Sequence, residues 1–258
     1  GIRILKDHGI EVTENILKEE CDKLNEAFFY YIQNKKPYVV MKYAMTMDGK
    51  IAAYTGESKW VTGEAARIHV QEQRLKYTGI MVGVGTVLAD DPMLTCRLEN
   101  SRNPVRIICD SHLRTPLTSK IVRTAETIPT ILASSSKDQQ KIKNYEELGC
   151  QVLYVPGKNG HIDLNRLMEL LGAAKIDSIL LEGGGTLNWS ALESGIVQKV
   201  QTYIAPKLFG GESAKTPIGG KGFPDPARAI LLKNSEMIRL GDDFLIESEV
   251  KRNVYGNC

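Results

Sequence analysis

The feature that most constrains the fold is a succession of short, almost wholly apolar runs with helical patterns between them. Such runs are typical of strands in a sheet that is covered on both faces. Strands are predicted at residues 38–45, 79–84, 105–109, 130–133, 151–155, 177–182 and 200–205. Helices are predicted at 64–76 behind Thr62, at 137–148 behind Ser136, and at 164–171 between Asp163 and Gly172. This alternation predicts an α/β fold with a mostly parallel central sheet flanked by helices.

The two ends of the chain depart from this alternation. Residues 227–233, 236–240 and 243–250 read as successive strands, which predicts an antiparallel C-terminal ending and hence a mixed sheet. Near the N-terminus, apolar residues spaced alternately by four and three predict one amphipathic helix over 13–36, after a short strand at 10–12. Residues 207–226, rich in glycine and proline, are predicted to be a long loop. Because the chain starts with Gly1, we expect it to be the rear part of a longer protein.

Composition excludes several classes of protein. With 33 basic and 31 acidic residues the net charge is +2, so no global field selects nucleic acid or an anionic membrane. The longest mostly apolar run, residues 80–89, is too short to span a bilayer. Five cysteines at unrelated spacings and four histidines without metal-ligand spacing indicate neither a disulfide framework nor a metal centre. We therefore expect a cytoplasmic protein without a metal.

The stretch SILLEGGGTLNWSAL, residues 178–192, combines a core strand, a carboxylate and three glycines before a predicted helix. Bare backbone N–H groups and the positive end of the helix dipole would suit a diphosphate there. A plain tight turn explains the glycines equally well, since the pattern is neither G-x-G-x-x-G nor a P-loop. Glu182 lies at the carboxyl end of the strand, where open α/β sheets bind ligands. It is interpreted either as a solvated carboxylate or as an acceptor for the N–H groups of a heterocycle.

Two other stretches carry candidate polar contacts. In GVGTVLADDP, residues 83–92, the glycines would let a nicotinamide or ribose approach the backbone beside Thr86 and Asp90. In DSHLRTP, residues 110–116, Ser111 and Arg114 lie where the adenosine half of a dinucleotide would bind. A hydroxyl and a guanidinium without a ribose-binding acid favour the 2′-phosphate of NADP over NAD.

Four isolated side chains have a functional and a structural interpretation. Trp60, in a polar loop, would cover a flat ring or make a satellite core contact. Lys42, in an apolar strand, either faces solvent or meets a substrate anion or Glu182. Arg74 and Arg97 are candidate phosphate ligands or ordinary surface arginines. Since no covalent nucleophile is recognisable, the chemistry is expected to be that of a cofactor.

Together these stretches resemble the reductase domain of the bacterial bifunctional riboflavin-biosynthesis deaminase–reductase, whose fold is like that of dihydrofolate reductase. The resemblance is carried in order by PYVVMKYAMTMDGKIA, TGESKWVTGEAAR, GVGTVLADDPMLTCR, PVRIICDSHLRTP, LLEGGGTLNWSAL and YIAPKLFGG. It implies that residues 1–36 are the end of the deaminase domain and a linker helix, and that 37–258 form the reductase domain. The zinc signature of the deaminase half, H-x-E and P-C-x-x-C, is missing, so deaminase activity is not expected of this chain.

The resemblance implies NADPH-dependent reduction of 5-amino-6-(5-phosphoribosylamino)uracil to 5-amino-6-(5-phosphoribitylamino)uracil, with hydride delivered to ribose C1′. By position, it implies NADPH contacts for Ala44, Trp60, Thr86, Asp90, Ser111, Gly184, Gly185, Thr186, Leu187, Asn188, Trp189 and Ser190, to which DSHLRTP adds Arg114. It implies substrate contacts for Ser58, Arg74, Leu94, Arg97 and Glu182, with the arginines at the phosphate. The candidate catalytic residues are Glu182 at the reacting end, and Lys42 and Asp90 for proton handling or imine polarisation.

Two other functions remain open at this stage. One is the related reductase that acts before deamination, on the 2,5-diamino-6-ribosylaminopyrimidinone phosphate. The other is a nucleotide-binding or regulatory protein without catalysis. The resemblance also implies a homodimer or a larger homo-oligomer. The expected binding partner is the phosphorylated pyrimidine substrate, and neither nucleic acid nor a membrane is expected as a partner.

Overall fold

A nine-stranded sheet forms the centre of the protein in the computed structural model, which describes residues 1–251. Its strands are β1 (Tyr38–Thr46), β2 (Gly79–Gly83), β3 (Val105–Cys109), β4 (Thr130–Ser134), β5 (Gln151–Tyr154), β6 (Ser178–Leu181), β7 (Lys199–Ala205), β8 (Leu232–Leu240) and β9 (Asp243–Val250). They lie in the order β5-β4-β3-β2-β6-β1-β7-β9-β8. Strands β1 to β7 pair in parallel, and β9 runs antiparallel to both β7 and β8. The predicted fold class is confirmed.

Helices connect these strands and cover the sheet. They are α1 (Ile2–Asp7), α2 (Lys18–Leu24), α3 (Glu26–Asn34), α4 (Glu64–Lys76), α5 (Val84–Asp90), α6 (Lys120–Arg123), α7 (Gln139–Glu146), α8 (Leu164–Ala173) and α9 (Gly185–Glu193). Short 3-10 helices occupy Lys158–Gly160 and Pro226–Arg228. The start of α8 is capped as predicted, since the Asp163 carboxylate accepts N–H groups of its first turn. The capping side chain of α7 is Asp138 rather than Ser136, and α4 begins behind Gly63 rather than Thr62.

The apolar runs are nearly continuous because both faces of the sheet are buried. In β2, Ile80 and Val82 pack into one core cluster while Met81 packs into the cluster on the other face. Ile107 and Ile108 of β3 divide in the same way. A strand with two buried faces has no polar side to alternate with, which explains the sequence pattern.

Several local predictions were wrong. Residues 13–36 form two helices rather than one, because Leu17 adopts a left-handed conformation and Asn25 interrupts the rest. Residues 10–12 are not a strand, 84–90 form a helix that was not predicted, and 227–233 do not form a separate strand. Gly172 lies inside α8 instead of ending it. Residues 252–258, which include Cys258 and the end of the predicted reductase domain, lie outside the described residues.

The N-terminal helices contact the body of the molecule through α3 and through an ion pair between Lys23 of α2 and Glu236 of β8. The Glu26 carboxylate accepts hydrogen bonds from Lys199 Nζ and from Tyr38 Oη, the latter at 2.9 Å. A Cβ on Gly172 would lie 2.1 Å from the Lys35 carbonyl oxygen, so only glycine permits this approach of the linker to α8. The division into 1–36 and 37–258 stays a prediction, but the two parts share these contacts.

Within residues 1–251, none of the helices combines the length and the apolar character that crossing a bilayer requires. Over the same residues, no group of three or more His, Cys, Asp or Glu side chains is placed to hold a metal ion.

Candidate active site

A cleft of about 870 Å³ opens at the carboxyl ends of the central parallel strands. Chain segments that follow β2, β3 and β6 form its walls, together with the loop after β1 and residues 215–219 of the long loop. Ligands of open α/β sheets bind at this edge, because loops from neighbouring parallel strands converge there. Nine of the predicted site residues line it: Ser58, Thr86, Asp90, Ser111, Arg114, Gly184, Gly185, Thr186 and Leu187.

The three glycines after Glu182 have three different environments. A Cβ on Gly183 would lie 2.6 Å from Asn188 Oδ1, and one on Gly185 would lie 3.0 Å from the Thr216 carbonyl oxygen. These two glycines therefore make room for the protein itself. Gly184 has no atom within 4 Å of its Cβ position, and it lines the cleft. Only Gly184 keeps its space open toward a ligand.

Gly184 is also the N-cap residue of α9, and no side chain caps this end of the helix. The first N–H groups of an α-helix have no partner within the helix and carry the positive end of its dipole. Because Gly184, Gly185, Thr186 and Leu187 all line the cleft, this helix end offers main-chain donors to an anion bound there.

Glu182 forms the centre of a largely buried ionic cluster directly before these glycines. Arg74 of α4 binds it with two hydrogen bonds, Nε to Oε1 at 2.8 Å and Nη2 to Oε2 at 2.9 Å. Lys42 Nζ lies 4.0 Å from Oε2, because Met41 of β1 pairs with Leu181 of β6 and the next residues on each strand face one another. The three side chains are only 13 to 15% exposed.

Opposing effects set the protonation of this cluster. Burial alone would raise the pKa of the Glu182 carboxyl, but the Arg74 guanidinium and the Lys42 ammonium outweigh it and lower that pKa to about 2. Burial lowers the pKa of Lys42, and the Glu182 carboxylate opposes this only in part. The site therefore holds a permanently ionised carboxylate beside a lysine that releases its proton more readily than usual.

A buried polar chain lies on the other side of Lys42. Its Nζ is 5.6 Å from the ring centre of Tyr203, whose hydroxyl lies 2.7 Å from His69 Nδ1. His69 Nε2 in turn lies 3.3 Å from Gln73 Nε2, which can only donate. Tyr203, His69 and Gln73 thus form a chain of polar contacts behind Lys42.

Two hydrogen bonds hold the segment 94–97 beside this cluster. Arg74 Nη1 donates to the Thr95 carbonyl oxygen at 2.9 Å, and the Arg97 N–H donates to Gln71 Oε1 at 3.0 Å. The side chain of Leu94 is packed in a core cluster, so only its main chain is left to contact a ligand. The Arg97 side chain is exposed and makes no hydrogen bond or ion pair with the described residues. Its charge also lowers the pKa of Glu182, but by less than the charges of Arg74 and Lys42 do.

The remaining predicted contacts, like Lys42, Arg74, Leu94, Arg97 and Glu182, are not among the residues that line the cleft. Trp189 is buried against Phe223, and Asn188 Nδ2 donates to the Pro217 carbonyl oxygen at 2.8 Å, so both side chains hold α9 to the long loop. Ser190 Oγ donates back to the Thr186 carbonyl oxygen at 3.1 Å. Trp60 is 56% exposed with the Arg67 guanidinium over its ring. Ala44 is half-buried on β1, paired with Tyr203.

Sequence reasoning missed four side chains with nitrogen or hydroxyl groups that line the cleft. They are His112, His161, Lys215 and Thr216. His112 lies in the stretch DSHLRTP directly after β3, and this position could have indicated that it lines the cleft. His161, Lys215 and Thr216 come from distant loops, and nothing local in the sequence brings them here. Cys109 also lines the cleft, but burial raises the pKa of its thiol to about 12, so it is not a nucleophile near neutral pH.

Comparison with known proteins gives consistent matches. Residues 37–246 match the family model described as the RibD C-terminal domain. The riboflavin biosynthesis protein RibD of Actinobacillus pleuropneumoniae is 55% identical over 247 residues, which cover 96% of this chain and 66% of that protein. The 2,5-diamino-6-ribosylamino-4(3H)-pyrimidinone 5′-phosphate reductase of Methanothermobacter thermautotrophicus is 39% identical over 220 residues, which cover 84% of this chain and 99% of that protein.

Among solved structures, a diaminohydroxyphosphoribosylaminopyrimidine deaminase/5-amino-6-(5-phosphoribosylamino)uracil reductase of Thermotoga maritima matches with a TM-score of 0.78 and 32% identity. The match covers 97% of this chain and 67% of that one. The chain thus spans about two thirds of the length of these longer relatives, at 66 to 67%.

Proposed function

The chain belongs to the RibD C-terminal domain family, and on that premise we propose that it is an NADPH-dependent reductase of 5-amino-6-(5-phosphoribosylamino)uracil in riboflavin biosynthesis. The product is the ribitylamino compound, formed by adding hydride at ribose C1′ and a proton to the sugar oxygen or amine. The observation that carries this proposal is the Arg74–Glu182–Lys42 cluster, which lies two residues before the open main chain of Gly184.

The cleft fits a nicotinamide coenzyme. The space at Gly184 is open, uncapped N–H groups at the start of α9 suit the diphosphate, and Thr86 and Ser111 add hydroxyl groups along the wall. Asp110, the acid that follows β3, is fully buried and accepts the N–H groups of Arg114 and Thr115, so it is not available to bind a ribose. This supports NADP over NAD. When bound, the coenzyme supplies the hydride.

The ionic cluster suits the pyrimidine. Each Glu182 oxygen keeps an acceptor position after binding Arg74, so the carboxylate is able to bind N–H groups of the substrate. Lys42 is the proposed proton donor, because burial lowers its pKa. Asp90, on the cleft wall, is the second candidate for proton handling.

Arg97 is the proposed ligand of the substrate phosphate, because its guanidinium is exposed and has no partner among the described residues. Arg74 uses three of its five N–H groups on Glu182 and Thr95. Its own contact with the phosphate stays a prediction, and two donors remain for it. Ser58 on the cleft wall completes the proposed substrate contacts, with the main chain of Leu94.

A second candidate function is favoured by one comparison. The archaeal pyrimidinone phosphate reductase matches over 99% of its own length, so its substrate, still carrying the 2-amino group, is a credible alternative. The Thermotoga maritima deaminase/reductase matches more of this chain, 97% against 84%, which favours the deaminated pyrimidine.

The test is to supply each pyrimidine with NADPH and to follow the loss of NADPH absorbance. We expect faster turnover of the deaminated substrate. Preference for the diamino compound would select the alternative function, and coenzyme binding without turnover of either would indicate a non-catalytic protein. In Glu182→Gln, turnover should fall by at least about a hundredfold, the scale of losing an oriented charged group, with little change in NADPH affinity.

We also propose a homodimer or larger assembly in the cytoplasm. The edge strand β8 supports an interface, since its side chains are exposed on both faces, with Met237 at 71% and Ile238 at 41%. Light scattering after size exclusion measures the assembly, and cell fractionation measures the location.

A further inference from the structure

Four polar side chains lie side by side across one face of the sheet, at the level of the ionic cluster. Lys42 of β1 pairs in register with Gln201 of β7, and Gln201 pairs with Glu247 of β9. On its other side, Lys42 lies next to Glu182, which follows β6. Side chains of residues paired in register share one face of a sheet. This polar row therefore consists of a carboxylate, an ammonium, an amide and a second carboxylate.

The Gln201 amide is buried and has one atom without a partner. Gln201 is 1% exposed, and its Nε2 donates to Glu247 Oε1 at 2.6 Å and to Gln73 Oε1 at 3.0 Å. Because an ionised carboxylate only accepts hydrogen bonds, the contact with Glu247 fixes which amide atom is the nitrogen. Gln201 Oε1 is buried and has no hydrogen-bond partner among the described residues. With its nitrogen bound on the β9 side, the amide leaves this oxygen for the β1 side, where Lys42 lies.

Lys42 is the matching donor. Its side chain is 15% exposed, and its ammonium makes no hydrogen bond with the described residues. Glu182 Oε2 lies 4.0 Å from Nζ, beyond hydrogen-bonding distance, and the ring centre of Tyr203 lies at 5.6 Å. A largely buried donor without an acceptor and a buried acceptor without a donor both cost free energy. Since they stand at the same level on adjacent strands, rotation of the lysine side chain brings them together.

We propose that Gln201 is a positioning residue for Lys42, because its amide oxygen is a second acceptor to which the amino group turns from Glu182. This rests on the proposed function, in which Lys42 donates the proton. An amide oxygen attracts an ammonium less than a carboxylate does, so the lysine gives up its proton more readily when Gln201 holds it. In that step an N–H bond of Lys42 breaks as the bond to the sugar oxygen or amine forms. The lysine is left as a neutral amine, which still donates to Gln201 Oε1.

The test must leave the surrounding charges in place. Ionisable groups reach the polar row from each neighbouring element, namely Glu182 after β6, Glu247 on β9, Tyr203 on β7, and Arg74 and His69 on α4. Two variants meet this condition. Gln201→Met removes the amide and nearly keeps its volume. Gln201→Glu combined with Glu247→Gln exchanges the two groups, so that the net charge and a hydrogen bond between the two positions are kept.

The two variants should move the pKa of Lys42 in opposite directions. Gln201→Met removes an acceptor of the ammonium, so this pKa should fall. The exchange puts a carboxylate oxygen beside Lys42, so the pKa should rise. We expect a shift of about one pH unit in each case, the scale of one hydrogen bond to a charged group. The measurement is the pH titration of the Lys42 ε-carbon resonance in protein with ¹³C-labelled lysine, free of substrate and coenzyme and assigned with Lys42→Met.

Gln198→Met is the matched control on the same strand side of the sheet. The Gln198 amide accepts from the Val39 N–H at 2.6 Å and donates to the Tyr30 hydroxyl at 3.0 Å, away from the polar row. It should leave the Lys42 titration unchanged. Thermal unfolding checks every variant, and if Gln201→Met does not fold, the exchange decides alone.

Kinetics supply a second readout. In the exchange variant kcat should fall by about three- to tenfold, because a donor with a higher pKa is a weaker acid, while KM for NADPH stays unchanged. A Lys42 titration that moves in neither variant, or equally in Gln198→Met, overturns the inference. If the titration moves as expected but the wild type reduces no pyrimidine, the positioning role stands and the proposed function fails. If pyrimidine is reduced and the titration does not move, only the positioning role fails.

Discussion

Single residues control the chemistry through charge, and Glu182 shows how. Its ordinary pKa of 4.5 is lowered to about 2 because the charges of Arg74 and Lys42 overcome the effect of burial. A carboxyl with a lowered pKa in the folded state stabilises that state fully above its unfolded pKa. This contribution is lost as the pH falls through the folded pKa.

We therefore expect the free energy of unfolding to decrease between about pH 5 and pH 2, with Glu182 contributing roughly 3 kcal/mol of that decrease. Denaturant titrations at several pH values measure it. In Glu182→Gln the decrease should be smaller by about this amount, and an identical pH dependence in the variant would contradict the lowered pKa.

Arg97 tests the recognition of the substrate at the same scale. Since its guanidinium has no partner among the described residues, Arg97→Ala should leave stability nearly unchanged. It should raise KM for the phosphorylated substrate by about tenfold or more, the value of one charge-assisted hydrogen bond. Steady-state kinetics with a dephosphorylated analogue provides the control. An equal rise in KM for both compounds would refute the phosphate contact.

At the scale of elements, the glycines before α9 divide between folding and binding. Gly184 has a φ of −80° and open space at its Cβ position, so Gly184→Val should fold normally and lose NADPH affinity by at least about tenfold through steric exclusion. Calorimetry measures the affinity. Gly183→Ala is the contrasting variant, because its Cβ meets Asn188 Oδ1 at 2.6 Å and should lower the melting temperature. Normal affinity in Gly184→Val would remove the coenzyme from this turn.

Local patterns in the sequence predict the elements well where one physical signal dominates. The buried strands β2 and β3 and the Asp163-capped helix α8 were found from apolar runs and a capping residue. The helix α5 was missed because its sequence, VGTVLAD, begins with a glycine and β-branched residues that have low helix propensity. The helix 13–36 was predicted too long, since spacing alone does not reveal the left-handed turn at Leu17.

At the scale of the whole molecule, the candidate site depends on contacts distant in sequence. A cleft opens at the edge of the sheet where the sequence predicted the site, and nine of the predicted residues line it, while their ligand contacts stay a prediction. Lys215 and His161 could not be assigned to it, because long loops converge through tertiary packing that has no local pattern. Likewise the sequence placed Arg74 at a phosphate but could not show its bidentate bond to Glu182, 108 residues away.

The linker provides a prediction at this scale. Gly172→Ala would place a Cβ 2.1 Å from the Lys35 carbonyl oxygen, so α3 must shift away from α8. We expect a loss of about 1–3 kcal/mol in the free energy of unfolding, typical of overpacking. Chemical denaturation measures it, and Gly184→Ala, with open space at its Cβ, is the control. Unchanged stability in Gly172→Ala would show that the linker does not rest on α8.

The same contact bears on any attempt to use residues from Pro37 onward as a free-standing enzyme. Cutting the chain there would expose the surface of α8 at Gly172, which the Lys35 carbonyl oxygen otherwise contacts. It would also remove Glu26, the counter-ion of Lys199. The newly exposed surface would be partly apolar and partly cationic. A shortened form of this protein should therefore begin before α3, so that this helix is retained.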